Sequence, residues 1–425
     1  MIEHPFRPML YKDPVMPYNF KSWTSNHIWV HKQPFPLWAM AGSMAFFGVN
    51  EIALRMPSII LSSIAVYFTF FIGYFYFGKK VGLLAAFFHS INGLLIEITA
   101  GRVATDHPDI FFVCLVELSI FFCILGLKRD RLFFYLFAGI SLGLAILSKW
   151  LPALIVLPVW LFLALDSKPM KPTKIILQTA TILGAALFIV LPWQIYIHLS
   201  FPNETKWESH FNWLHITQAL DGQAGSIFYH FNKMRIIWGE LIYLPVGWFI
   251  FQSVKRKSNR HFSLLIWVFV PFIFFSMVAT KMQAYTLFTA PALFIILSWH
   301  CIALMQKPLY FRHKIFSKII LALLVLLPIR YCIERVKPFK QRERYPEWVS
   351  VLKDLGQKYK GSNIVLFNEP RPIEAMFYTN FTAYSNIPEK DVIIELANNG
   401  YLILIRKADN IREKIFELDS VKIID

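Results

Sequence analysis

The sequence predicts a polytopic α-helical membrane protein of about ten to eleven spans with a small C-terminal α/β domain. Three observations predict it. Hydrophobic residues make up 56% of the 425 and charged residues only 16%, where a soluble domain carries about 25% charge. Ten apolar runs follow one another between residues 57 and 333. Lysine and arginine gather in alternate loops between those runs. The mean hydropathy of +0.48 excludes a disordered chain. The runs are continuous rather than alternating, which excludes a closed β-barrel. The 41 Phe, 17 Tyr and 13 Trp suit a lipid-facing surface with interfacial belts. Cys114, Cys123, Cys301 and Cys332 lie in or beside apolar runs and form no CxxC pair, so neither a disulfide framework nor a zinc ribbon is expected.

Residues 1–34 hold no apolar run and no signal peptide. Residues 35–49, rich in Phe, Trp and Met, read as an interfacial or re-entrant segment. A span needs about 20 mostly apolar residues. The runs at roughly 57–77, 81–99, 110–127, 132–147, 151–165, 175–199, 239–254, 262–279, 284–305 and 315–333 are the candidates. Five loops between them carry 15 Lys/Arg against two acids, Asp130 and Asp166. The alternate loops, 100–109, 148–150, 200–238 and 280–283, carry six Lys/Arg against five acids. The positive-inside rule puts the first set in the cytoplasm and the second outside. Residues 1–34 and the tail then also lie outside, with an upstream span expected to carry residues 1–34 across, or else a first helical hairpin pulling them through. The expected division is a membrane domain, 1–339, and a soluble domain, 340–425.

From 340 onward there are 13 Lys/Arg and 13 Asp/Glu, so the net charge of +16 belongs wholly to the membrane part. It is a topology signal, and no nucleic-acid partner is implied. In the tail, 363–368 and 401–405 read as buried strands, and 371–379 and 391–397 as helices. A folded cap without a catalytic motif is expected there.

Chemistry is sought in the charge-poor loops. Asp106, His107 and Asp109 stand at the mouth of two spans, where folding has no need of acids. Asp109 opens the run 110–127 and is expected mainly to cap its helix. Asp106 lies free of that turn and is the preferred functional acid. An Asp-His-x-Asp group could hold a divalent ion, a weak signal. Lys32, Lys149 and Lys281 stand at outer ends of apolar runs. Each alone is an ordinary snorkelling anchor. Together they oppose the positive-inside bias, and an anion would explain them. The long loop 200–238, with three His and three Trp, is neither low-complexity nor linker-like. Its aromatic residues suit stacking on a sugar or the headgroup layer. Glu97 and Glu117 lie within runs, yet no inverted repeat or broken span pair accompanies them, which argues against a secondary transporter.

An ordered series of motifs is legible. His31-Lys32-Gln33-Pro34-Phe35-Pro36-Leu37-Trp38 is followed by Phe47-Gly48-Val49-Asn50-Glu51-Ile52-Ala53-Leu54-Arg55-Met56-Pro57-Ser58. Phe77-Gly78-Lys79-Lys80-Val81-Gly82-Leu83-Leu84-Ala85-Ala86 comes next, then the Arg102–Asp109 loop, Gly143-Leu144-Ala145 with Lys149, and Lys281 with Tyr285 and Pro291. In this order the pieces resemble the bacterial C-type glycosyltransferases of the protein O-mannosyltransferase and aminoarabinose-transferase superfamily, over about residues 28–300.

The resemblance implies transfer of a sugar from a polyprenyl-phosphate donor to a lipid, protein or glycan acceptor at the extracytoplasmic face of the plasma (inner) membrane. A transporter or flippase of a lipid-linked substrate is the alternative. The resemblance also implies roles. Asp106, or else Asp109, would take or share the acceptor proton. Lys32, Lys149, Arg235 and Lys281 would stabilise the leaving phosphate, with Tyr285 hydrogen-bonding it. His107 and His215 would contact the acceptor or the sugar. No cofactor is firmly expected. The chain departs from the pattern at His31, where the family has Glu, and at Gln33, where it has Pro. The family's first span, followed by an acidic outer loop, has no counterpart here.

Overall fold

The computed structural model describes residues 1–103, 108–166, 170–306, 314–341, 346–361, 363–407 and 420–424. Residues 1–33 form turns without regular helix or strand. The helix α1 (Pro34–Phe47) starts on a proline, whose missing N–H costs nothing at that position. Its 14 residues extend about 21 Å, short of the ~30 Å hydrocarbon core.

The helix α2 (Glu51–Phe77) is capped by Asn50, which accepts from the Ala53 amide at 2.9 Å. It ends at Gly78, whose φ of +90° suits glycine. The pair α3 (Lys79–Ser90) and α4 (Gly93–Thr99) bends by 53° at Asn92, which caps α4 and donates to the Ile237 carbonyl at 2.8 Å. Next come α5 (Pro108–Arg129), α6 (Leu132–Lys149), a 3-10 turn at Leu151–Ile155, α7 (Val156–Asp166) and α8 (Pro172–Ser200). The stretch 200–238 holds two helices, α9 (Pro202–Thr217) and α10 (Tyr229–Trp238). A bend of 117° separates α10 from the continuation through α11 (Tyr243–Arg256). The membrane part closes with α12 (Asn259–Met277), a 3-10 turn at Gln283–Thr289, α13 (Ala290–Gln306) and α14 (Lys314–Val336).

Every one of the ten apolar runs holds helix. Among the described residues, seven helices are long and apolar enough to cross a membrane singly, or up to nine spans if each bent pair counts as one. The run 151–165 is a 3-10 turn followed by the 11-residue α7, short by length. The helices α5 and α13 are buried nearly all round and form the centre, whereas α2, α8 and α14 present apolar surface outward.

Small residues let the helices approach. A Cβ at Gly139 would lie 2.3 Å from the Ile182 carbonyl oxygen, and one at Gly143 would lie 3.0 Å from that of Ala186. This small-xxx-small pair seats α6 on α8. A buried polar knot joins α2, α3 and α5. The Thr69 hydroxyl donates to the Glu117 carboxylate and lies 2.7 Å from His89 Nδ1. Glu117 is thereby hydrogen-bonded inside the bundle, as a buried acid must be.

Ion pairs sort the loops to opposite ends. At one end Lys174 pairs with Asp130, Arg260 pairs with Asp166 at 3.1 Å, and Arg260 also lies over Phe75. These contacts gather the basic loops. At the other end Arg335 pairs with Glu97 at 2.7 Å and Arg102 donates to the Val336 carbonyl, holding the end of α14 on α4.

The tail folds as α15 (Glu347–Lys358), β1 (Ile364–Phe367), α16 (Pro372–Thr379), β2 (Thr382–Ala383), α17 (Lys390–Asn398), β3 (Leu402–Arg406) and β4 (Val421–Ile424). The sheet order is β2-β1-β3-β4, with every pairing parallel and Val365 opposite both Thr382 and Ile403. Leu352, Leu355 and Ala375 cover one face. Ile393, Leu396 and Tyr11 cover the other. Burial on both faces explains why β1 and β3 read as unbroken apolar runs. The N-terminal segment is built into this domain: Tyr11 stacks on Tyr384 at 4.5 Å, and the Val15 amide donates to the Tyr384 hydroxyl at 3.1 Å.

Candidate active site

Because α5 and α6 are antiparallel neighbours, the start of one meets the end of the other. Asp109 lies in the first turn of α5 and Lys149 in the last turn of α6. The Lys149 ammonium donates to the Asp109 carboxylate. The Asp109 side chain is only 4% exposed and that of Lys149 is 24% exposed. The free amides at the start of α5 further favour an anion there. Asp109 thus differs from a simple helix cap. It sits inside the first turn and holds a cation from a helix 40 positions away.

Lys149 Nζ lies 5.4 Å from the centre of the Tyr285 ring, within cation–π range. Tyr285 belongs to the 3-10 turn before α13 and packs on Phe275 at 5.0 Å. The segment 278–282 leading into that turn is fastened to the end of α9 and to the loop beyond it. The Thr280 amide donates to the His215 carbonyl at 3.1 Å, and the Lys281 amide donates to the Gln223 carbonyl at 2.8 Å.

Lys281 was expected to face a phosphate. Its side chain instead turns back on the end of α12, where helix carbonyls lack partners. The ammonium donates to the carbonyls of Phe275 at 3.1 Å and Ser276 at 2.6 Å and to that of Val278, and the residue is 3% exposed. All its donors are engaged, so its geometry is that of a C-cap.

His215 Nδ1 lies 3.3 Å from the Thr280 hydroxyl. Burial first, then the charge of His31 and, less strongly, of Lys32, hold its pKa below the ordinary histidine value, against the opposing pull of Asp221 and Glu208. Lys32 is therefore near His215, on the same end of the bundle as the Asp109–Lys149 pair. Arg235 lies on the exposed face of α10, beside Tyr243. Asp106 and His107 lie outside the described residues. Among the described residues no three His, Cys, Asp or Glu side chains cluster closely enough to hold a metal ion.

Several polar groups here escaped sequence reasoning. His31 Nδ1 donates to Glu208 Oε1 at 2.8 Å, and the Tyr18 hydroxyl donates to Glu204. Burial and Glu204 push the Tyr18 phenol up to about 12. Glu204 and Glu208 are four residues apart on one face of α9. Pro202 at the first position and Glu204 in the first turn are helix-start signals, but α9 has no apolar stripe and read as loop. Arg55, part of the quoted motifs, packs its guanidinium against Gly101, and its Nη1 is buried without a hydrogen bond among the described residues.

Residues 31–196 match the family described as dolichyl-phosphate-mannose-protein mannosyltransferase. In fold, the chain is similar to ArnT from Cupriavidus metallidurans bound to undecaprenyl phosphate, with a TM-score of 0.61 and 14% identity over 94% of this chain and 85% of that one. It is also similar to the archaeal oligosaccharyltransferase AglB from Archaeoglobus fulgidus in complex with an inhibitory peptide and a dolichol-phosphate, with a TM-score of 0.58 and 14% identity over 91% of this chain and 59% of that one. The chain is a multi-pass helical membrane protein whose fold is similar to those of these two proteins.

In sequence the chain is similar to undecaprenyl phosphate-alpha-4-amino-4-deoxy-L-arabinose arabinosyl transferases. Transferase 1 of Pseudomonas fluorescens is 23% identical over 279 residues, covering 62% of this chain and 49% of that protein. Transferase 2 of Proteus mirabilis is 25% identical over 264 residues, covering 59% of this chain and 46% of that protein. The chain spans about half the length of these curated relatives.

Proposed function

We propose that the chain is a membrane glycosyltransferase that moves a sugar from a polyprenyl-phosphate donor to a lipid, protein or glycan acceptor. The observation that carries the reading is the buried Asp109–Lys149 pair beside Tyr285, at the end of the bundle away from the basic loops. By the positive-inside rule that end and the C-terminal domain face outward from the plasma (inner) membrane.

In this reading the acceptor hydroxyl oxygen attacks the anomeric carbon. The bond from that carbon to the phosphate oxygen breaks, and its electron pair leaves on the lipid phosphate. Lys149 and Lys32, with the Tyr285 hydroxyl, stabilise that charge. The acceptor proton passes to a carboxylate, Asp106 by assignment from the sequence. Asp109 keeps Lys149 in place, and His215 is available to the acceptor or the sugar. Lys281 contributes by fixing the end of α12 and the turn that bears Tyr285.

The test uses membranes containing the full chain and a radiolabelled polyprenyl-phosphate sugar. Label should move to an acceptor with release of polyprenyl phosphate. Lys149→Ala should lower the rate by about 10²-fold or more, as loss of one charge-stabilising donor does. Lys206→Ala, at an exposed lysine of α9, should leave the rate unchanged. Movement of intact donor across the bilayer without cleavage would overturn the reading in favour of a transporter.

A further inference from the structure

Between residues 20–31 and α9 lies a cleft of about 190 Å³. It is neither a lipid groove nor a phosphate site. Its walls are aromatic, from Phe20, Trp23, Trp29, Trp207 and Phe211. Its polar lining comprises the carboxylates of Glu204 and Glu208 together with Lys21, Ser22, Asn26 and His31. The two carboxylates outnumber the lining lysine, Lys21, which disfavours a phosphate, and burying them under an acyl chain would cost their hydration. Each already accepts a hydrogen bond, from Tyr18 and His31 respectively, and a carboxylate has further lone pairs for hydroxyl hydrogens.

The rings pack at tilted and edge-on angles. Trp23 and Trp29 are 6.1 Å apart at 57°, and His31 stands edge-on to Trp23 at 4.9 Å. Lys21 Nζ is 5.9 Å from the Trp207 ring, and Trp29 Nε1 is buried without a hydrogen-bond partner among the described residues. A buried indole N–H left without an acceptor is costly. Apolar faces and carboxylate acceptors together match a polyhydroxylated ring. The volume is below the roughly 300–1,000 Å³ of drug-sized pockets, so it suits about one sugar ring.

The cleft is connected to the candidate active site. Phe211, in its wall, contacts His215 edge-on at 4.9 Å. His215 meets Thr280, and the Thr280 segment leads to Tyr285 under Lys149. His31, in the same wall, is followed directly by Lys32.

We propose that this cleft is the acceptor subsite and that it takes a saccharide ring, stacked on Trp207 and Trp23 with hydroxyls on Glu204 and Glu208. The proposal rests on the glycosyltransferase reading and narrows its acceptor to a glycan or a glycolipid headgroup. The experiment measures saturation-transfer NMR on the full chain in nanodiscs, with the methyl glycosides of glucose, mannose, galactose and N-acetylglucosamine as probes.

At least one probe should receive saturation, and Trp207→Ala and Glu208→Gln should each cut it fivefold or more. Trp23→Ala guards against misfolding, since that ring is 52% exposed and its loss leaves the core intact; it should also cut the signal. No saturation on any probe, an unchanged signal in all three variants, or saturation of a threonine-rich peptide in place of every sugar would overturn the proposal. Donor cleavage by the unmodified chain is measured in parallel. Cleavage without sugar binding sinks the cleft alone, and sugar binding without cleavage sinks the transferase reading.

Discussion

Replacing Lys149 with methionine takes a charged partner from a carboxylate that the fold has removed from water. Asp109 is 4% exposed in its side chain and Lys149 supplies a charged hydrogen bond to it. Breaking a fully buried pair by removing one partner costs about 3–5 kcal/mol. Lys149 is itself 24% exposed, so water screens part of the interaction, and protonation of the acid caps the loss. The expected cost of Lys149→Met is about 2–3 kcal/mol after that discount. Asp109→Asn should cost less, because asparagine is neutral and still accepts a hydrogen bond at the start of α5. The double variant should be more stable than Lys149→Met alone, since it no longer buries a carboxylate deprived of its Lys149 partner. The assay is a double-mutant cycle on the full chain in one detergent, read as the midpoint of thermal or denaturant unfolding. A coupling of about 1–2 kcal/mol is expected. Additivity within about 0.5 kcal/mol would refute the claim that the two residues form a buried pair.

Three further outcomes follow from the packing and charge. Gly139→Leu should abolish monodisperse folded protein or cost at least about 3 kcal/mol, because its Cβ would lie 2.3 Å from a backbone oxygen of α8; Gly184→Leu, where nothing lies within 4 Å of the added Cβ, should melt like the parent. Single cysteines at Ser226 and Lys80 should label from opposite sides of a sealed vesicle, and labelling from one side would end the topology. His215 binds its proton less readily folded than unfolded; the unfolded chain then carries more protons just below pH 6.5, so stability falls as the pH drops through that range. His215→Gln should reduce the slope of melting temperature against pH between about 5 and 6.5, and an unchanged slope would exclude its contribution.

The class of fold, the helical runs and the sorting of the loops were legible in the sequence, because hydropathy and charge act on each segment independently of its neighbours. A 22-residue apolar stretch such as Pro108–Arg129 must be helical in lipid whatever surrounds it, since its backbone has no other partner there. The strands Ile364–Phe367 and Leu402–Arg406 were legible for a similar reason, as apolar runs too short for spans. The helix α9 was not legible. It has no apolar stripe, and what holds it is the clasp of Glu204 and Glu208 on Tyr18 and His31, residues some 180 positions away. The short β2 and the partly exposed β4 carry little signal of their own and exist because β1 and β3 offer them edges.

The candidate site divides along the same line. Lys32, Lys149, Lys281 and Tyr285 stood out as polar residues in the charge-poor loops, and composition alone revealed them. Which of them meet was settled by the crossing of helices far apart in the chain. That crossing gives Lys149 to Asp109 and turns Lys281 back on the carbonyls of α12. A lysine at the end of an apolar run carries the same local signal in both cases. Its role depends on whether the nearest unsatisfied acceptor is a carboxylate on a neighbouring helix or the end of its own, and only the packing of the bundle decides that.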